Sequence, residues 1–437
     1  MVNVNAQGKP LRTAITWLDQ RRARQVYFPN LVMGSLYRLA GMHHALRRVQ
    51  AEGACNWIMQ NEPEIWRQTS KYLQVSGFLN YRLTGSFSDS VAAQIGHIPF
   101  DYKRKKWAST GSLPARLFPV EKEKLARLVP PGRVLGKVTA RAAGETGLRE
   151  GLPVVACGSD KGCETLGMGV LSTDMASMSF GTTATVQTTS AGYFEPLRFM
   201  PAYPACIPGC YNPEVEIFRG YWMITWFKEE FAHKEVLEAE KRDIPTEEVL
   251  NELLDTVPAG SLGLMVQPYW GPGLKHPMAK GAMVGFGGAH KKAHIYRAVI
   301  EGLAYALREG LERIERAGSF HARRLAVSGG ASQSHSICQI TADVFNRPLV
   351  RGRTCETAGL GAAILTAVGA GLYPDIPAAA TEMVAYDRTF QPDPNTAEVY
   401  RQLYHHVYKR IFRRLNPLYR SIGHIINYPE RLEAYRD

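Results

Sequence analysis

Residues 151–190 contain two apolar segments that each end in a short polar turn, and this arrangement restricts the folds open to the chain. The first segment, 152–157, is followed by Gly158-Ser159-Asp160. The second is followed by Gly181-Thr182-Thr183. Buried strands that deliver polar groups to one edge of a sheet are typical of α/β proteins. The sequence therefore predicts an α/β fold with a carboxylate and an anion-binding turn at strand ends.

A glycine-rich turn separates a second predicted strand from a helix. We predict a strand at Arg324–Val327, a turn at Ser328–Ser334 and a helix at Ile337–Phe345. Before them, apolar residues recur at three- and four-residue steps through 294–316, which predicts a long amphipathic helix. A strand, a glycine turn and a helix N-terminus together form a seat for anions and nucleotides. Alternating strands and helices in both halves favour an α/β architecture.

The length of 437 residues is typical of two or three domains. A strand-rich segment begins at Ala176, so we place a domain boundary near residue 172. At the N-terminus, the pattern predicts a β-hairpin between Val2–Asn5 and Thr13–Trp17, and Leu262–Gln267 is predicted to be a strand.

The formal charge of +12 favours an anionic ligand, a class that includes nucleotides, nucleic acids and acidic membranes. We interpret the basic run 405–414 as the solvated face of a terminal helix, because no nucleic-acid-binding module accompanies it. No apolar run reaches the roughly 18 residues of a spanning helix. The seven cysteines follow no signal peptide, which predicts reduced thiols in a cytoplasmic protein. Cys206 and Cys210 lack a second pair or a histidine spacing, so no metal site is predicted.

Asp160 is the first candidate for chemistry. One interpretation is a general base that takes a proton from a substrate hydroxyl during attack on phosphorus. The other is a helix N-cap, a position at which aspartate is also favoured. The neighbouring Lys161 either neutralises phosphate or is a solvated lysine. The spacing alone leaves both questions open.

The two glycine turns also allow two interpretations each. Gly181-Thr182-Thr183 is compatible with phosphate binding and with an ordinary hairpin turn. Gly329–Ser334 is compatible with a phosphate or adenine site and with a simple glycine cap. It does not match a Walker-type P-loop.

A polar group follows the predicted N-terminal strand. Asp19 and Arg21 are candidates to hydrogen-bond sugar hydroxyls, with Trp17 against an apolar sugar face. The alternative is a structural ion pair beside a core tryptophan. Glu356 is interpreted as a charge at a helix N-terminus rather than as a ligand.

Together these segments resemble the FGGY family of carbohydrate kinases, which includes xylulokinase, glycerol kinase and ribulokinase. The most specific match is Gly281–Phe286, then seven residues, then His294–Glu301, which resembles the family's C-terminal signature over its full length. Further resemblances occur in the family's order at Trp17–Arg21, Lys71–Leu73, Leu83–Gly85, Gly158–Asp160, Gly181–Thr183, Gly329–Ala331 and Glu356–Ala363. They cover nearly all of residues 10–375.

The resemblance implies two actin-like (ribonuclease-H-like) α/β domains that close on a cleft. These would be an incomplete, sugar-binding FGGY N-terminal domain at residues 1–172 and a nucleotide-binding C-terminal domain at 173–375. A C-terminal helical tail would occupy residues 376–437. By position, the resemblance implies that Asp160 is the catalytic base and that the substrates are a sugar and ATP with Mg²⁺. It implies sugar contacts from Trp17, Asp19 and Arg21, and nucleotide contacts from Gly181, Thr182, Thr183, Gly285, Gly329, Gly330, Ala331 and Ser334.

The sequence departs from the family at its start. Family members begin with a strand that carries Asp-x-Gly-Thr, which grips phosphate and helps to hold Mg²⁺, and no such strand precedes Met1. Loss of this electrostatic stabilisation lowers the expected rate. Three expectations follow: a truncated or mis-started gene product, a subunit completed by another chain, or a non-catalytic relative.

We therefore predict ATP-dependent phosphorylation of a sugar or polyol. The Trp-Leu-Asp-Gln-Arg segment favours a pentulose or other ketose, as in xylulokinase, over glycerol, whereas Lys161 beside the base departs from the family. The alternative is a catalytically impaired or inactive relative that binds sugar or nucleotide. We expect neither nucleic acid nor membrane as a partner, and a homodimer is compatible with the sequence.

Overall fold

The computed structural model describes residues 1–16, 19–39, 42–197, 200–270 and 279–426. The strands are β1 Val2–Val4, β2 Lys71–Leu73, β3 Ser88–Ser90, β4 Phe100–Asp101, β5 Lys106–Trp107, β6 Arg127–Val129, β7 Val134–Lys137, β8 Pro153–Val155, β9 Met175–Phe180, β10 Ala184–Thr188, β11 Tyr203–Pro204, β12 Tyr211–Asn212, β13 Glu214–Ile217, β14 Met265–Gln267, β15 Ala282–Val284, β16 Arg324–Ser328, β17 Leu349–Gly352 and β18 Tyr386–Phe390. The α-helices are α1 Leu31–Leu39, α2 His43–Ala51, α3 Ala54–Asn61, α4 Pro63–Gln68, α5 Val75–Thr84, α6 Leu113–Leu117, α7 Ala140–Thr146, α8 Asp160–Gly167, α9 Trp222–Phe231, α10 His233–Arg242, α11 Thr246–Asp255, α12 Lys292–Gly318, α13 His335–Phe345, α14 Thr357–Gly369, α15 Ile376–Met383, α16 Pro394–Leu403 and α17 Lys409–Ile426.

The chain forms two compact units, each assembled from three stretches. Unit 1 comprises Met1–Leu171, Thr189–Pro213 and Ala358–Val384, and unit 2 comprises Ser172–Thr188, Glu214–Thr357 and Ala385–Asp437. These units interleave along the chain, whereas the predicted limits at residues 172 and 375 divide it linearly. Those limits stay a prediction.

Unit 2 is built on a six-stranded mixed sheet with the order β13-β10-β9-β16-β17-β18. The central strands β9, β16 and β17 are parallel, and Ser179 of β9 lies opposite Ser328 of β16. Every residue of β9 and β10 is buried. Because parallel strands end at the same edge, the turns after β9 and β16 lie side by side.

The helix predicted at 294–316 is confirmed as α12, which is the longest described helix of unit 2. Its apolar residues at three- and four-residue steps are all buried, namely Ile300, Leu303, Leu307, Leu311 and Ile314. At its N-terminus, His294 Nδ1 accepts a hydrogen bond from the Lys291 N–H at 3.1 Å, and at its C-terminus Ser319 adopts a left-handed conformation. The amphipathic pattern therefore fixes which face of α12 packs inward.

Among the described residues of unit 1, the strands form only two-stranded pairings, such as β3 with β6 and β7 with β8. The predicted N-terminal hairpin is confirmed in its turn, because Val4 forms an antiparallel bridge with Pro10 and the Leu11 N–H donates to the Asn3 carbonyl at 2.9 Å. Its second strand is wrong over the described residues 13–16, since the strand that pairs with β1 is β2, which is antiparallel to it and places Val2 opposite Leu73. The apolar side chains of β1 are buried with Leu73 and Ala126. Burial of these side chains favours the distant strand β2 as the regular partner of β1, while the neighbouring segment contributes an isolated bridge.

Candidate functional site

Asp160 is the first residue of α8, and its side chain is exposed. The helix is capped by Ser159, whose Oγ accepts a hydrogen bond from the Gly162 N–H at 3.1 Å. Asp160 Oδ1 accepts one from the Lys161 N–H at 2.8 Å. The interpretation of Asp160 as the N-cap is therefore wrong. Its carboxylate lies beside the positive end of the helix dipole, where a negative charge is favoured.

Close packing determines the course of the chain just before Asp160. A Cβ added to Gly158 would lie 2.4 Å from the Sγ of Cys206, so only glycine fits at this point. The Ser159 N–H donates to the Ala92 carbonyl at 2.9 Å. On the first turn of α8, Lys161 Nζ donates to Glu164 Oε2 at 2.9 Å, so the lysine is paired within its own helix.

Asp19 and Arg21 form an ion pair at a cavity of about 490 Å³ in unit 1. Arg21 Nη2 donates to Asp19 Oδ2 at 2.5 Å and Arg21 Nε donates to Asp19 Oδ1 at 2.9 Å, and these hydrogen bonds lower the pKa of Asp19 to about 2. The Arg21 guanidinium lies over the ring of Trp57, 4.6 Å from its centroid. Trp17, the third predicted sugar contact, lies outside the described residues. The ion pair between Asp19 and Arg21 that the structural alternative predicted does form. It also lines a cavity large enough for a small ligand, so it is compatible with sugar binding.

Among the further residues that line this cavity, Trp57, Gln74 and His97 escaped the sequence analysis. Gln74 follows β2 directly and donates from Nε2 to the Ile95 carbonyl at 2.8 Å. The sequence does contain a signal that could have identified Gln74, because a polar residue directly after a strand is a common position for a ligand-binding side chain. His97 stacks on Phe118, and burial lowers the pKa of its imidazole. No local pattern marks His97, because chain segments distant in sequence form its surroundings.

Gly181-Thr182-Thr183 is the turn of the β9–β10 hairpin, in which Phe180 lies opposite Ala184. The Gly181 carbonyl accepts a hydrogen bond from the Tyr221 N–H at 3.0 Å, just before α9 begins. The side chain of Thr182 is exposed. The hairpin interpretation is therefore confirmed, and it leaves the Thr182 hydroxyl accessible to a ligand.

Gly329–Ser334 follows β16 and leads through a 3₁₀ turn into α13. Gly329 has a φ of 92°, and a Cβ added there would lie 2.9 Å from the backbone carbon of Phe180. This close approach joins the two glycine turns at one edge of the sheet. Ser334 Oγ caps α13 by accepting the Ile337 N–H at 3.2 Å and donates to Asn251 Oδ1 at 2.7 Å. Gly330 is exposed and Ala331 is half-buried.

Gly285 lies just after β15, is exposed and has a φ of 104°. A Cβ added there would lie 2.4 Å from the Gly263 carbonyl oxygen. Glycine is therefore required at this position both by conformation and by space. Glu356 immediately precedes α14, as expected of a charge at a helix N-terminus.

Among the residues that the structure describes, no three or more His, Cys, Asp or Glu side chains form a group suited to a metal ion. Mg²⁺ that arrives bound to ATP needs no such cage, because phosphates and water supply most of its ligands. Within the same residues, every helix is too short or too polar to cross a bilayer.

The comparison with protein families decides the identity of these segments. The description "FGGY family of carbohydrate kinases, N-terminal domain" matches residues 1–167, and the corresponding C-terminal domain matches residues 176–370. The chain belongs to the FGGY family of carbohydrate kinases. The predicted family and enzyme class, a phosphotransferase, are confirmed. Sugar kinases of this family use ATP as a substrate.

Individual relatives agree with this assignment. The Escherichia coli K12 protein named as an uncharacterized sugar kinase, YgcE, is 34% identical over 326 residues, which are 74% of this chain and 66% of that protein. The chain thus aligns with just under two thirds of that relative's length. Xylulose kinase from Lactococcus lactis is 27% identical over 430 residues, which are 96% of this chain and 81% of the relative.

A solved structure shows the fold. Gluconate kinase from Lactobacillus acidophilus superposes with a TM-score of 0.79 at 20% identity, over 96% of this chain and 83% of that one. The FGGY kinase fold is a pair of actin-like (ribonuclease-H-like) α/β domains. The predicted fold class is confirmed.

Proposed function

We propose that this FGGY kinase transfers the γ-phosphoryl group of ATP to a hydroxyl of a sugar or polyol, with Asp160 as the general base. The observation that carries the proposal is the exposed carboxylate of Asp160 at the start of α8, where Ser159 already supplies the cap. A carboxylate without a capping role is available for proton transfer. The 27% identity to xylulose kinase over 96% of the chain supports a pentulose rather than glycerol as acceptor.

In the proposed reaction, Asp160 accepts the proton of the acceptor hydroxyl as its oxygen attacks the γ-phosphorus. The bond between the γ-phosphorus and the bridging oxygen breaks, and ADP leaves. Mg²⁺ enters as part of the MgATP substrate and offsets negative charge on the phosphates. The protein then has to orient both substrates, which is the main source of rate enhancement in such transfers.

The cavity of unit 1 is the proposed sugar site. Asp19 accepts hydrogen bonds from sugar hydroxyls, and Arg21 donates them. Gln74 and His97, which line the same cavity, belong to the proposed site, and Trp17 is proposed as a sugar contact from the family resemblance alone. The ion pair between Asp19 and Arg21 holds both side chains in place before a sugar arrives, which lowers the entropic cost of binding.

The two adjoining turns of unit 2 and the Gly285 loop form the proposed nucleotide site. In the first turn, Gly181, Thr182 and Thr183 offer phosphate oxygens backbone N–H groups and an exposed hydroxyl. In the second, Gly329, Gly330 and Ala331 present to adenosine a surface with no side chain larger than a methyl group. The hydroxyl of Ser334 is engaged by Ile337 and Asn251, so its proposed part is to hold the start of α13.

A second acceptor class is favoured by the charges of the unit 1 cavity. Three arginines line it, namely Arg21, Arg22 and Arg48, against two carboxylates, those of Asp19 and Glu52. The excess positive charge favours a sugar that carries a carboxylate over a neutral one. Sugar acids therefore belong in the substrate panel.

The test is ADP release from purified protein with MgATP and a panel of pentuloses, tetritols, glycerol and aldonates. Turnover with pentuloses supports the main proposal, and turnover confined to aldonates supports the second. Calorimetry with MgATP alone separates a kinase from a binding protein. MgATP binding without turnover on any acceptor would overturn the proposed activity in favour of a non-catalytic relative.

A further inference from the structure

Residues 260–263 form a turn whose backbone is left-handed at four consecutive positions. The φ angles are 79° at Gly260, 49° at Ser261, 53° at Leu262 and 93° at Gly263. Glycine adopts such angles readily, whereas serine and leucine rarely do. The predicted strand at Leu262–Gln267 is accordingly wrong in its first half, and β14 begins only at Met265. A strained turn of this kind persists only where its surroundings hold it.

The carboxylate of Glu301 holds this turn. Its Oε1 accepts a hydrogen bond from the Gly260 N–H at 3.0 Å, and its Oε2 accepts one from Ser261 Oγ at 3.0 Å. Glu301 lies on α12, is 1% exposed and is paired with Arg297 at 2.9 Å. Tyr400 also donates to its Oε1, at 2.8 Å. Four donors thus converge on one buried carboxylate, and two of them belong to the turn.

The turn at residues 260–263 supports the loop that contains Gly285. The strand β14 follows the turn and pairs with β15, so that Met265 lies opposite Val284. The Cβ position of Gly285 lies 2.4 Å from the Gly263 carbonyl oxygen. The Gly285 backbone therefore rests directly on the last residue of the turn, and a displacement of the turn would move it.

We propose that Glu301 is a positioning residue for phosphoryl transfer, because it holds the left-handed turn that places the Gly285 loop against MgATP. The inference rests on the proposed role of Gly285 at the nucleotide. Glutamine at position 301 has a nearly identical shape, but its amide nitrogen donates and cannot accept. In Glu301→Gln the amide nitrogen faces either the Gly260 N–H, which then has no acceptor, or the Ser261 hydroxyl, which must then accept instead of donate. In both orientations the negative charge that pairs with Arg297 is lost, so the turn is held less firmly.

Glu315 provides a matched control on the same helix. It is 7% exposed, accepts the Ala322 N–H at 3.0 Å and pairs with Arg347 at 2.6 Å. Both Glu301→Gln and Glu315→Gln therefore remove a buried carboxylate from an arginine pair and from a backbone N–H. They differ in that only Glu301 contacts the turn beneath Gly285.

The experiment measures KM for MgATP and for the acceptor, kcat, and MgATP affinity by calorimetry in the full-length variants. We expect Glu301→Gln to raise KM and the dissociation constant for MgATP on the order of 10- to 100-fold, since the loss of a hydrogen bond to a charged group has effects of that size. The KM for the acceptor should stay within about twofold. Glu315→Gln should leave all these constants within about twofold of the wild type. Ser261→Ala removes only one of the hydrogen bonds, and we expect a rise of a few-fold in the same MgATP constants.

Equal MgATP constants in Glu301→Gln and Glu315→Gln would overturn the inference. If Glu301→Gln does not fold, Ser261→Ala decides, and unchanged MgATP constants in that variant count against the proposal. If the wild type binds MgATP but shows no turnover, the proposed activity is contradicted. The proposed role of Glu301 can still be tested, because calorimetry compares the MgATP affinities of the variants. A wild type that neither turns over nor binds MgATP refutes both proposals.

Discussion

The candidate ligand-binding groups of unit 1 are charged side chains, whereas those of unit 2 are mainly backbone. In unit 1, Asp160 is exposed at the start of α8 and the Asp19–Arg21 pair lines a cavity. In unit 2, Gly285 and Gly329 bring backbone segments closer together than any side chain would permit. One unit therefore supplies functional groups and the other supplies a shape.

This difference determines how each unit responds to substitution. An exposed side chain such as Asp160 that does not cap its helix can be changed with little loss of stability, so the main effect appears in the chemistry. A glycine with a positive φ and no room for a Cβ belongs to the fold itself, so the effect appears first in stability. The following substitutions test that contrast.

Asp160→Asn should have the largest effect. Asparagine keeps the size of the side chain but cannot accept the acceptor's proton at neutral pH, and loss of a general base costs about 10³-fold in kcat. Because Asp160 is exposed and does not cap α8, only its favourable charge at the helix N-terminus is lost, and the free energy of unfolding should fall by less than about 1 kcal/mol. Steady-state kinetics with the best acceptor and thermal unfolding provide the two measurements.

The control for this substitution is the adjacent Ser159→Ala. It removes the cap of α8 and should lower the free energy of unfolding by about 1 kcal/mol, a typical value for a lost N-cap. A kcat that Asp160→Asn leaves unchanged would exclude Asp160 as the base. If the melting temperature fell further in Asp160→Asn than in Ser159→Ala, Asp160 would contribute more to stability than the helix cap does. The proposed contrast, in which the functional side chains of unit 1 contribute little to stability, would then be wrong.

Gly329→Ala should have the next largest effect, and it acts on stability. The new Cβ would lie 2.9 Å from the Phe180 backbone, at a residue with a φ of 92°. Conformational strain and overpacking together are expected to cost about 2–4 kcal/mol in denaturant unfolding. Gly330→Ala is the matched control, since nothing lies within 4 Å of its Cβ position and its φ is not positive. Similar losses in both variants would contradict the close approach of the two turns.

Arg21→Gln should have a smaller effect, confined to the sugar. Loss of a charged donor typically costs about 1.5–3 kcal/mol, which corresponds to a rise of about 10- to 100-fold in KM for the acceptor. KM for MgATP should not change, because Arg21 belongs to the unit 1 cavity. Arg24→Gln, an exposed arginine outside the cavity lining, is the control. An acceptor KM that rises equally in both variants would exclude Arg21 as a specific sugar contact.

The sequence predicted those features whose cause is local. The buried stripe of α12 follows from spacing within one helix, and the glycine turns follow from residue types at strand ends. By contrast, the pairing of β1 with β2 depends on residues about seventy positions apart. The same is true of the site: Asp160 was marked by its own strand and turn, whereas His97 and Glu301 acquire their surroundings from distant segments. Spacing within a segment contains no information about such contacts.

His97 should have the smallest effect, and it appears in the pH dependence of stability. Burial lowers the pKa of His97 below its ordinary value of 6.5, so the folded chain binds this proton more weakly than the unfolded chain. The resulting stability is fully present above pH 6.5 and is lost as the pH falls through the lowered pKa. We expect the melting temperature of the wild type to decline between pH 7.5 and 5.5 by about 2 °C more than that of His97→Gln. His335→Gln is the comparison in unit 2, where burial and two arginines also lower a histidine pKa at a more exposed position. If His335→Gln reduced the pH dependence of the melting temperature more than His97→Gln does, burial of His97 at the unit 1 cavity would not be the main cause of that dependence.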